Sequence, residues 1–185
     1  MQGFVDGVIT LKGNKLSKLN IDLNVSGKLW TTADKNTRES DIQPFIATLS
    51  GPLRIGEGTF SLMNVPFSLL SLFVSSPSGL SGMFGVSGKY RLGKRSPEIT
   101  ADLVFNEVGI GKESLFLERG KISFSESSLN IDVIMQSSSS KEPFSIIGKV
   151  PFDQSLPLDL RIESHGDGIS FLDEFSNGIL SWESG

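Results

Sequence analysis

The feature that most constrains this chain is strict two-residue alternation. In "LNIDLNVSG", Leu19, Ile21, Leu23 and Val25 alternate with Asn20, Asp22, Asn24 and Ser26. Successive side chains of an extended strand point to opposite sides, so this spelling makes one dry face and one wet face. The rhythm returns after Pro97 with Ile99, Ala101, Leu103 and Phe105, in "SLNIDVIM" with Leu129, Ile131, Val133 and Met135, and in "LPLDLRIES" with Leu156, Leu158, Leu160 and Ile162. Gly, Asn, Ser and Pro punctuate these runs at hairpin spacing, which predicts an antiparallel meander of about ten strands. The polar residues 137–143 ("SSSSKEP") read as a solvated hairpin tip, and residues 31–41 as a longer loop.

Two segments break the alternation. "VPFSLLSLFV", residues 65–74, sets Phe67, Leu70 and Val74 at helical spacing, with Pro66 suited to a first turn. "DGISFLDEFSNG", residues 167–178, offers Ile169, Leu172 and Phe175 as a stripe, Asp167 or Ser170 as a cap and Gly178 just past the end. Both predict short helices. A weak internal repeat accompanies them: Gly88-Lys89 leads to Pro97 and an alternating strand, and Gly148-Lys149 leads to Pro157 and another, with apolar parity differing by one residue.

A dry face of this extent must be covered. Ten strands about 4.8 Å apart, rising about 3.3 Å per residue, give a face on the order of 1,300 Å². Soluble monomers seldom expose more than roughly 300–600 Å² of contiguous apolar surface. A second sheet, closure into a barrel, or lengthwise curling would each cover it. The inner positions are mostly Leu, Ile and Val rather than the mixed aromatic anchors of a sandwich core, which favours curling. The expected class is therefore mainly β: one long antiparallel curled sheet with an apolar groove and two short helices. A closed β-sandwich or barrel serving as a plain binding module is the alternative.

Little in the chain points to chemistry. The 17 basic and 21 acidic residues are dispersed, so no electrostatic track for nucleic acid is expected. Without cysteine there is no disulfide, thiolate or Cys-based metal site. The single histidine, His165, stands near Asp167, but no particular serine is marked as its nucleophile, and it reads as a loop residue. Asp167, Asp173 and Glu174 lack EF-hand spacing, and the adjacent Asp173 and Glu174 do not face each other as a glycosidase pair must. "GIGKES", residues 109–114, lacks the P-loop lysine offset and reads as a hairpin turn. The expectation is a chain that is not an enzyme and takes no cofactor or metal. No apolar run reaches the roughly 18 residues of a membrane-spanning helix, and "MQGFVDGVIT" lacks the pattern of an export signal. "SWESG" opens a strand that nothing follows, so the chain is expected to be a slice of a longer protein.

"VPFSLLSLF" followed by "GLSGMFGVSGKYRLGKRSPEITADLVF" resembles the C-terminal region of TamB proteins, in the AsmA-like group of bridge-forming membrane-biogenesis proteins. "KLWTTADKNTRESDIQPF" and "PLDLRIESHGDGISFLDEFSNG" are most similar to the cyanobacterial TamB proteins and to their relative at the chloroplast inner envelope. The resemblance spans the whole chain and rests on structural motifs. It implies a β-taco over residues 1–185, an internal segment of a larger protein anchored in the inner membrane and crossing the periplasm or the chloroplast envelope intermembrane space. It further implies phospholipid transport between inner and outer membranes and support of outer-membrane protein translocation and assembly. An outer-membrane barrel assembly partner would be met through other parts of the protein, and the chloroplast relative implies protein import. On this sequence the expected groove lining is Ile99, Leu103, Phe105, Leu129, Ile131, Val133, Leu158, Leu160 and Ile162, shielding phospholipid acyl chains or apolar client segments from water.

Overall fold

Where alternation is strict the backbone is extended, and the hairpin punctuation places each strand beside its predecessor. The computed structural model describes residues 2–15, 18–30, 43–72, 80–93, 96–125, 127–153 and 155–164. Ten strands run through them: β1 (Gln2–Lys12), β2 (Asn20–Trp30), β3 (Phe45–Pro52), β4 (Gly56–Pro66), β5 (Leu80–Leu92), β6 (Glu98–Ile110), β7 (Glu113–Ser125), β8 (Ser128–Ser137), β9 (Phe144–Pro151) and β10 (Asp159–Ser164). They form one antiparallel sheet in sequence order, with β1 and β10 as its two edges. The sheet is open, and no second sheet packs on it among the described residues. This overturns the closed sandwich or barrel and bears out a mainly β, meandering antiparallel sheet.

Glycine makes room for large side chains on the dry face. Tyr90 on β5 lies across β4, its hydroxyl donating to the Pro52 carbonyl at 3.1 Å. A Cβ on Gly58 or Gly51 would collide with that ring or its hydroxyl, and Gly51 also holds a φ of 140°.

Three irregularities fall at one end of the sheet. The β4–β5 register shifts between Leu62 and Val65, the β5–β6 register between Ser81 and Met83, and the β7–β8 register between Leu117 and Arg119. Asn64, Gly82 and Glu107 take left-handed backbone there, with φ of 57°, 91° and 52°. Bulges add local bend and twist, and at this end the dry face gathers into a core. Val108, Ile110, Leu115 and Phe144 are buried together, with Phe67, Leu80, Phe105, Met135 and Ile146 packed around them.

The helix expected over residues 65–74 is not seen. Val65 and Pro66 complete β4, paired with Phe84 and Met83, and a 3-10 helix of six residues follows, Phe67–Leu72. Six residues are too few to offset α-helix nucleation, and short pieces of this kind adopt the tighter winding. Its anchor is Phe67, whose ring centroid is 5.0 Å from Phe84 and 5.6 Å from Phe105. The helix expected over residues 167–178, His165, and the loop 31–41 lie outside the described residues.

The serine-rich hairpin tip is also more than solvated loop. Ser137 and Ser140 are buried, and the β8–β9 connection closes around Glu113, the first residue of β7. The Glu113 carboxylate accepts from Ser137 Oγ at 3.2 Å, Ser138 Oγ at 3.0 Å and the Ser139 amide at 3.1 Å. The Ser139 hydroxyl first, then those of Ser138 and Ser137, hold this carboxyl below the usual glutamate range. A depressed folded value stabilises the fold above the ordinary glutamate pKa and ceases to do so as pH falls through the folded one. Glu113→Gln should therefore cost about 1 kcal/mol at neutral pH, a modest figure because solvent reaches the carboxylate. The gap between variant and wild type should close as pH falls below the ordinary glutamate range and through the lowered folded value, which urea denaturation at several pH values would measure.

Candidate functional site

The register fixes which residues share a face. One rung crosses all ten strands through Ile9, Leu23, Leu49, Phe60, Gly88, Ala101, Ile122, Ile131, Gly148 and Leu160. Every member is apolar or glycine. One residue away on the opposite face, a second rung runs through Thr10, Asp22, Ser50, Thr59, Lys89, Thr100, Ser123, Asn130, Lys149 and Asp159. Every member of that one is polar. At about 4.8 Å per strand each rung is about 43 Å long.

Eight of the nine expected lining residues fall on the apolar face. Ile99 pairs with Tyr90 and Phe124, and Phe124 with Leu129. Leu103 and Phe105 pair with Val86 and Phe84. Ile131 lies between Ile122 and Gly148, Val133 between Gly120 and Ile146, and Leu160 and Ile162 face Gly148 and Ile146 on β10. A Cβ on Gly120 would stand 2.7 Å from Leu103 and Leu117, so this glycine makes space for both. The ninth residue, Leu158, precedes β10 and is exposed at the hairpin tip rather than paired in the sheet.

The apolar face is filled at one end and exposed at its edges. Phe67 and the buried cluster fill the bulged end of β5 to β9. Toward β1, Val5, Ile9 and Leu11 are exposed, as are Leu160 and Ile162 on β10. Reading alternation alone missed Phe67, Val108, Ile110, Leu115 and Phe144. Glu107 inserts one residue into β6, so Val108 and Ile110 reach the face of Phe105 although they are out of step with it in sequence.

The outer face is held by charge pairs. Arg91 Nε donates to Glu57 at 2.8 Å and Arg91 Nη1 to Glu98 at 3.2 Å, Arg119 pairs with Asp132 at 3.2 Å, and Lys12 lies 3.5 Å from Asp22. A hydrogen bond from Ser50 Oγ at 2.6 Å, aided by Lys12, lowers the Asp22 carboxyl. These pairs are exposed and each contributes little, but they favour the register that turns the apolar rung to one side. Two shallow hollows of about 350 and 380 Å³ lie on this polar side, around Lys89 and Arg91 and around Asp102 and Lys121. Among the described residues no group of three or more His, Asp or Glu is placed to hold a metal ion. The turn at Gly111-Lys112 joins β6 to β7 as a hairpin, as expected of "GIGKES". No family model matches the chain, and no curated protein or solved structure is significantly similar to it.

Proposed function

We propose that the chain is a non-enzymatic segment of a TamB-like envelope-spanning protein, whose apolar trough shields lipid acyl chains on their way between inner and outer membranes. The observation that carries this reading is the unbroken apolar rung on the uncovered side of an open sheet. The sequence resemblance supports the membrane setting, in the periplasm or the chloroplast envelope intermembrane space. Each methylene removed from water contributes about 0.8 kcal/mol without demanding a fixed position, so uniform aliphatic walls retain a chain yet let it slide. Phe67 closes one side of that path. Support of outer-membrane protein translocation and assembly, through a barrel partner met by other parts of the protein, belongs to the same reading.

A second reading is favoured by β1, an eleven-residue edge strand with Phe4, Val5, Val8 and Ile9 exposed. Such an edge can take up a client β-strand during assembly or import. The two are separated by photo-crosslinking groups at Leu103 on the apolar face and Asp102 on the outer face, with mass spectrometry of the adducts. Lipid adducts at Leu103 and none at Asp102 are expected. Lipid at neither position would reject the acyl-chain reading in favour of protein clients.

A further inference from the structure

The two rims of the sheet differ. The hairpins β1–β2, β3–β4 and β9–β10 turn at the same rim, opposite the bulged end. Two of these tips carry large apolar residues in solvent: Leu53 and Ile55 between β3 and β4, and Phe152, Leu156 and Leu158 between β9 and β10. Ile55 is 61% exposed and Phe152 64%, although the Phe152 ring touches Phe124. At the other rim, the described parts of the β6–β7 and β8–β9 turns are Gly111-Lys112 and the serine-rich tip, with no large exposed apolar residue.

Cations stand among the apolar tips. Arg54 sits between Leu53 and Ile55, and Lys15 and Lys18 lie on the β1–β2 tip; all three are exposed, and among the described residues none makes an ion pair. The two tips are tied together by a hydrogen bond from the Leu53 amide to the Leu19 carbonyl at 3.0 Å. The acid of the β9–β10 tip, Asp153, is engaged by the Ser155 amide at 2.9 Å and its hydroxyl at 2.7 Å.

We infer that this rim is a docking surface for an anionic phospholipid bilayer, with Ile55, Leu53 and Phe152 entering the interface and Lys15, Lys18 and Arg54 meeting headgroup phosphates. Apolar tips beside cations that make no ion pair among the described residues match a surface that offers hydrocarbon below a layer of negative charge. A protein partner would have to supply the same combination, and with a net charge of −4 the chain as a whole offers no general attraction to an anionic surface, so attraction must come from a local patch of cations. The inference extends the trough reading by setting the rim opposite its filled end at a membrane, but it stands on the rim and not on lipid transport.

The test is flotation of the full chain with vesicles of phosphatidylcholine alone and of phosphatidylcholine mixed with phosphatidylglycerol. The protein should float with the mixed vesicles only and detach as salt rises. Lys15→Glu, Lys18→Glu and Arg54→Glu together should weaken partitioning at least about a hundredfold, and Ile55→Ser with Phe152→Ser about tenfold or more. Lys112→Glu with Lys141→Glu, on the opposite rim, should leave it unchanged, and circular dichroism should match wild type for every variant compared. Absence of flotation, or flotation that the rim variants leave intact, would overturn the inference and assign the rim to a protein partner. Flotation that persists while no acyl probe enters the trough would uphold the rim and reject only the transport reading.

Discussion

Phe144→Ala is expected to destabilise the fold by about 3–5 kcal/mol, whereas Ile9→Ala on the same face should cost under about 1 kcal/mol. Both residues belong to the apolar side of one sheet, but Phe144 is 4% exposed and Ile9 65%. Phe144 pairs with Met135 and packs beside Ile110 and Leu115, so removing the ring leaves a cavity that neighbours on two strands cannot fill. Ile9 already has most of its side chain in water, and truncation changes little that folding had buried. Urea denaturation followed by circular dichroism measures both, with an unchanged slope showing that the same transition is compared. Equal losses would mean that the β1 end is covered in solution, by self-association or otherwise, and that the trough has no open end.

The alternation that makes the sheet was legible residue by residue. Leu103 and Asp102, or Leu160 and Asp159, could be assigned to faces because successive side chains of a strand point to opposite sides. The weak repeat resolves in the same terms: Gly88 pairs with Ala101 and Gly148 with Leu160 on one rung, the second hairpin being one residue shorter, which is why the parities differed. The bulges were not legible. Asn64 and Gly82 are residue types that tolerate left-handed backbone, but Glu107 carries no such mark, and it alone determines that Val108 and Ile110 belong to the core. Val104 and Ile134 are apolar residues on the wet side, which the alternation does not account for. In the fold, Ile46 pairs with Met63, a Cβ on Gly85 would stand 2.6 Å from the Met63 sulfur, and Gly85 pairs with Val104, so one outer row is itself partly apolar. Alternation alone does not separate an open sheet from a closed one, because closure depends on strand tilt and stagger; it was the aliphatic inner positions that favoured the open form the sheet takes.

Leu160→Asp should lower loading of a fluorescent fatty-acyl probe at least about tenfold, while Ile147→Asp should leave it within about twofold of wild type. The two positions form a matched pair on neighbouring strands. Leu160 is 37% exposed and Ile147 40%, so neither substitution buries a full charge and both variants should fold. They differ in direction: Leu160 faces Gly148 on the apolar rung, whereas Ile147 lies between Asp132 and Arg161 on the polar side. A carboxylate at Leu160 keeps its water and denies an acyl chain the dry wall on that strand. A carboxylate at Ile147 joins a row already charged and gains Arg161 as a neighbour. Probe fluorescence titrated against each variant, with thermal melts alongside, separates the possibilities. Equal loss in both would trace loading to general surface stickiness or to damage of the fold. Loss at Ile147 alone would put the ligand on the outer face, and no loss at either would remove β10 from the path and confine any bound chain to the strands between β1 and β9.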